Sequence, residues 1–120
     1  MPDRTLKILV VEDHGDTSRL MARLLQGHGH DVHVAEGVNT ALAVAQRELI
    51  DLLISDIGLP DGTGHDLMKQ IQAIRPTKGI ALSGYSSHED IRQAKDAGFA
   101  AHVTKPVDFV KLQRLIDQLA

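Results

Sequence analysis

Five times along the chain, a short run of branched aliphatic residues gives way to a longer segment whose apolar residues recur at helical spacing. Residues 6–11 (Leu-Lys-Ile-Leu-Val-Val) are nearly all apolar, as a strand covered on both faces requires. Further strand runs cover 32–35, 52–55, 79–83 and 101–104. Strict alternation with short connections dictates an α/β fold, a parallel sheet with helices on both faces. At 120 residues, with no repeat, linker or low-complexity tract, one domain over 1–120 is expected.

The helical segments carry their own punctuation. Leu20, Met21, Leu24 and Leu25 form the first stripe, behind capping oxygens at Asp16, Thr17 and Ser18, and Gly27 and Gly29 end it. Ala41, Leu42, Ala45 and Leu49 mark the second, with Asn39 or Thr40 as its cap. A tight turn at 59–62 (Leu-Pro-Asp-Gly) precedes the third stripe, Leu67, Met68, Ile71 and Ile74, which stops at Arg75-Pro76. Ser87 and Asp90 read as a capping box for a fourth helix that ends at Ala97-Gly98. Asp108 caps the fifth, with Val107 and Leu112 as a hydrophobic staple and Leu112, Leu115, Ile116 and Leu119 as its stripe.

Composition removes several function classes. With no cysteine there is no disulfide scaffold, thiolate zinc site or cysteine nucleophile. The net charge of −3 argues against a large nucleic-acid footprint. No apolar run approaches the roughly 20 residues of a membrane span, and the first residues carry no signal-peptide core. A cytoplasmic chain is expected.

In such a sheet, ligands bind beyond the carboxyl ends of the strands. The side chains at those ends are Glu12 and Asp13 after the first strand, Asp56 at the third, Ser83 at the fourth and Lys105 after the fifth. Clustered carboxylates repel unless a cation intervenes, and a hard divalent ion with oxygen ligands answers that need. An ammonium beside such a site suits an incoming phosphoryl group, and an aspartate there is a competent nucleophile. The constellation favours phosphoryl transfer onto protein.

The chain resembles the receiver domains of two-component response regulators over nearly its whole length. The motifs are Ile-Leu-Val-Val-Glu-Asp (8–13), Asp-Ile-Gly-Leu-Pro-Asp-Gly-Thr-Gly (56–64), Ala-Leu-Ser-Gly-Tyr (81–85), Ala-Gly-Phe (97–99) and Thr-Lys-Pro-Val (104–107), all in order. The resemblance implies a flavodoxin-like (βα)5 fold with strand order 2-1-3-4-5. It implies that Asp56 is the phosphoacceptor and that Glu12, Asp13, Asp56 and the backbone carbonyl of Gly58 hold Mg²⁺, with Mn²⁺ as a substitute. Lys105 would contact the phosphoryl group, ahead of a cis bond to Pro106. Ser83 would be the switch hydroxyl, and His102 stands where the family's switch aromatic is usually Tyr or Phe. Gly58 and Tyr85 occupy positions that tune acyl-phosphate lifetime in the family. The implied partners are a sensor histidine kinase or a histidine phosphotransfer protein, with output through the face of the fourth helix, fifth strand and fifth helix. Nucleic acid and membrane are not expected partners, and a monomer or weak dimer is expected. The wording of the 56–64 and 81–85 motifs resembles receivers attached to hybrid sensor kinases.

Other readings fare less well. A Ser-His-Asp hydrolase would need a Gly-x-Ser-x-Gly elbow around Ser83, and a phosphatase a general acid that Ile57 and Gly58 lack. A pseudo-receiver that binds partners without phosphorylation would have lost an acidic or lysine position, and none is lost. The 60–64 stretch lacks a P-loop ending. His28, His30 and His33 straddle a turn and a strand without ligand spacing and are expected at the surface. Met21 and Met68 are expected in the core.

Overall fold

The structure is a computed structural model, described here for residues 5–85 and 87–119. The five aliphatic runs are strands of one parallel sheet: β1 (Lys7–Val11), β2 (Asp31–Ala35), β3 (Leu52–Asp56), β6 (Lys78–Ser83) and β7 (Ala101–Thr104). Their order is β2-β1-β3-β6-β7. Counting these strands alone, the order is 2-1-3-4-5, the doubly wound arrangement of a flavodoxin-like fold. The turn at 59–62 is instead a small antiparallel ladder of β4 (Gly58–Leu59) and β5 (Gly62–Thr63), outside the main sheet.

Alternation along each strand divides the core in two. Leu9, Val11, Leu53 and Ala81 point toward α2 (Val38–Arg47), α3 (Gly64–Ile74) and α4 (His88–Ala97), where Ala41, Leu67, Met68 and Ala94 meet them. Ile8, Val10, Ile54 and Leu82 point the other way, onto Met21 and Leu25 of α1 (Gly15–Gly27) and Leu112 and Ile116 of α5 (Phe109–Leu119). Both faces are covered, so after their first residue the central strands β1, β3 and β6 stay free of polar side chains until their carboxyl ends. Those ends are where the ladders release the backbone and the ionisable side chains begin.

The helix ends differ from the sequence expectations in three places. First, α1 starts at Gly15 with His14 as its N-cap, ahead of Asp16, Thr17 and Ser18; the Ser18 hydroxyl donates back to the Gly15 carbonyl at 3.1 Å. Its buried face is Ser18, Met21, Ala22 and Leu25, and Leu20 and Leu24 are exposed, so only part of its apolar stripe is covered. Second, the N-cap of α2 is Gly37 and not Asn39 or Thr40, although the Thr40 hydroxyl accepts the Gly37 amide at 3.1 Å. The free amides of Val38 and Asn39 are taken by Asp61 of the β4–β5 turn at 2.7 and 3.0 Å. Third, α2 ends at Arg47, leaving Leu49 beyond it and open to solvent. The remaining signals hold: Ser87 and Asp90 form a capping box, Gly98 closes α4 at φ 110°, and Asp108 accepts from Val110 and Lys111 at 3.0 and 3.2 Å.

His30 also departs from its expectation. It is buried between α1 and β2, where Nδ1 accepts the Leu6 amide at 3.2 Å, while His28 is exposed and His33 half-buried. Among the described residues, no helix is long and apolar enough to cross a membrane.

Candidate functional site

Three strand ends bring their ionisable residues to one rim. Glu12 follows β1 directly, its amide donating to the Ala35 carbonyl at 3.1 Å, and its side chain has no solvent exposure. Asp56 closes β3 and is 8% exposed. Lys105 follows β7, its amide tied to the Ser83 carbonyl at 2.7 Å and its peptide bond to Pro106 cis. The Lys105 ammonium donates to Glu12 Oε2 at 3.0 Å and to Asp56 Oδ2 at 2.8 Å. Asp13 lies on the same rim, exposed. Sequence positions 93 and 49 residues apart thus meet at one ammonium.

Two carboxylates in a buried pocket with one lysine are electrostatically incomplete. Burial disfavours the charged form of Glu12, but hydrogen bonds from His14 and Lys105 outweigh it and hold its pKa at about 2. Asp56 is pushed above the usual aspartate value, by burial first and by the Glu12 charge as well, against the pull of Lys105. Burial opposes the charge on Lys105 too, yet its bonds to Asp56 and Glu12 raise its pKa. Glu12, Asp13 and Asp56 offer oxygen atoms within 4.8 Å of one another. That donor set, hard and anionic, fits Mg²⁺.

Ser83 ends β6 beside this rim. It is buried, and its hydroxyl accepts the Tyr85 amide at 3.0 Å. His102 pairs with Ala81 in the β6–β7 ladder and is half-buried; its Nε2 is buried and has no hydrogen-bond partner among the described residues. Tyr85 points into solvent, and Gly58 has open space where a side chain would project.

His14 is the rim residue that sequence reasoning passed over. Its Nδ1 lies 2.7 Å from Glu12 Oε1 and 3.3 Å from Asp13 Oδ1, and hydrogen bonding to Glu12, then the Asp13 charge, raises its pKa. The available signal was its place in the chain, directly after Glu12-Asp13 where the strand turns into α1.

The family model of the response regulator receiver domain matches residues 8–117. An uncharacterised 14.6 kDa protein from the sodA1 3′ region of Leptolyngbya boryana is 37% identical over 94% of this chain and 88% of its own length. The response regulator protein PilR of Pseudomonas aeruginosa is 36% identical over 92% of this chain, which spans only 25% of that protein. Among solved structures, a CheY-like response regulator receiver domain protein from Methanospirillum hungatei superposes with a TM-score of 0.87 at 30% identity, covering 97% of this chain and 94% of its own. The chain belongs to the response regulator receiver domain family of two-component signalling proteins.

Proposed function

We propose that residues 1–120 form one cytoplasmic receiver unit that takes a phosphoryl group onto Asp56 from a phosphohistidine of a sensor kinase or histidine phosphotransfer protein. In the step, an Asp56 carboxylate oxygen bonds to phosphorus as the phosphorus–nitrogen bond to the donor imidazole breaks, and the imidazole keeps the electron pair. Glu12, Asp13, Asp56 and the Gly58 carbonyl would hold Mg²⁺, which supplies positive charge beside the transferring oxygens. Lys105 neutralises Asp56 before transfer and faces the new phosphoryl oxygens after it. The single observation that carries this reading is the Lys105 ammonium bridging Glu12 and Asp56.

Phosphorylation adds about −1.5 to −2 charge at one carboxylate. The Ser83 hydroxyl, which accepts the Tyr85 amide, then gains a strong acceptor on the same rim. Its movement would vacate space toward His102 and bias the α4–β7–α5 face between two arrangements. The chain in this reading is a switch that promotes its own phosphorylation and dephosphorylation, and turns over no separate substrate. Incubation with a ³²P-labelled histidine phosphotransfer protein tests it. Label should move to the wild type and not to Asp56→Asn; a chain that binds the donor but accepts no label would be a phosphorylation-independent module instead.

A further inference from the structure

We infer that His14 is an additional ligand of the cation pocket, and that its imidazole tilts the pocket from Mg²⁺ toward divalent metals that bind nitrogen, such as Co²⁺ and Zn²⁺. The inference rests on the receiver reading of the pocket and adds to it a residue and a selectivity.

One Glu12 carboxylate is bracketed: Lys105 takes Oε2 at 3.0 Å and His14 Nδ1 takes Oε1 at 2.7 Å. The same nitrogen lies 3.3 Å from Asp13 Oδ1, and the ligand atoms of Glu12, Asp13, His14 and Asp56 all fall within 4.8 Å of one another. The backbone holds the ring there. The His14 amide donates to Glu12 Oε1 at 3.1 Å, and its carbonyl receives the Ser18 amide at 3.0 Å as the first bond of α1. Although His14 is the N-cap, its side chain accepts nothing from the helix amides. The imidazole is therefore not spent on capping, and its neighbours are the carboxylates of the pocket.

The chemistry of that donor set follows. Mg²⁺ takes oxygen ligands in strict octahedral geometry and keeps several waters, so an imidazole contributes little to holding it. Zn²⁺ and Co²⁺ bind imidazole nitrogen and carboxylate oxygen together. Carboxylates alone already favour these metals over Mg²⁺ in the general order of divalent affinities. The diagnostic quantity is accordingly the part of the preference that disappears with the ring.

Calorimetric titration of Mg²⁺, Co²⁺ and Zn²⁺ into the wild type, His14→Asn and Asp13→Asn measures it, with the visible absorption of Co²⁺ as a direct report on nitrogen ligation. His14 is on the surface, and circular dichroism confirms that each variant is folded. Only affinity that is also lost in Asp13→Asn is counted, which sets aside the other six histidines. The expected result is that His14→Asn weakens Co²⁺ and Zn²⁺ by about tenfold or more and shifts the Co²⁺ band, while Mg²⁺ changes by less than about twofold. If Mg²⁺ binds and depends on Asp13, but His14→Asn moves all three metals equally or none of them, the His14 assignment is wrong and the receiver reading stands. If no metal binds the wild type, both fail.

Discussion

The carbonyl oxygen of Asp56 occupies the space that a side chain on Gly64 would need. A Cβ built on Gly64 falls well inside van der Waals contact of that oxygen and 3.1 Å from the Ile57 α-carbon, and the Gly64 amide donates to the Ile57 carbonyl at 2.8 Å. The first turn of α3 is thus packed directly on the backbone of the proposed phosphoacceptor.

Gly64→Ala should therefore displace the Asp56–Ile57 backbone, at a cost of about 1–3 kcal/mol for overpacking. Urea unfolding reads the loss as a lower midpoint at unchanged slope. An alanine variant as stable as the wild type would mean that the α3 N-terminus gives way freely.

His30 makes stability depend on pH. Its Nδ1 accepts the Leu6 amide, so the neutral ring is the form that fits; burial, then the nearby His28, lowers its pKa, with Asp117 opposing. Below the unfolded value of about 6.5 the unfolded chain binds a proton that the folded ring resists. The His30 contribution is full above that pH and is lost as pH falls toward the lower folded pKa. Melting curves between pH 7.5 and 5 should show the wild type losing more stability than His30→Gln; parallel losses would contradict the assignment.

Asp61 should matter to a helix more than 20 residues away in sequence. Removing its carboxylate in Asp61→Ala frees the Val38 and Asn39 amides at the start of α2. A fall in Tm of roughly 3–6 °C is expected from loss of a cap. These same bonds hold the Asp61 pKa below the usual carboxylate range, so this contribution fades in acid as the group protonates. An unchanged Tm would show that Gly37 and Thr40 suffice.

Lys105→Met leaves Glu12 and Asp56 without their shared ammonium. The pocket then carries more unbalanced negative charge, and Mg²⁺ affinity should rise by roughly threefold to tenfold. Calorimetry at fixed ionic strength checks this. Weaker binding in the variant would mean that Lys105 organises the carboxylates more than it competes with the cation.

The parallel sheet, its strand ends and the residues gathered there were legible because each depends on local pattern: aliphatic runs end where Glu12, Asp56 and Ser83 begin. Periodicity also marked the apolar stripe of α1, but it carries no record of how much of a stripe the sheet covers, and Leu20 and Leu24 lie on its exposed part. The cap of α2 was hidden for a different reason, since its acceptor, Asp61, comes from a turn on the far side of β3. His30 looked like a surface residue because a single amide, Leu6, supplies the partner that makes its burial tolerable. His14 was missed because its role depends on a distance to Glu12 that only the strand-to-helix turn creates.

The most direct test is the intact mass of the protein after incubation with acetyl phosphate, with and without Mg²⁺, for the wild type and Asp56→Asn. One added phosphoryl group that requires both Mg²⁺ and Asp56 is the expected result. A folded wild type that gains no phosphoryl group, or an adduct that persists in Asp56→Asn, would contradict the assignment of Asp56 as the phosphoacceptor.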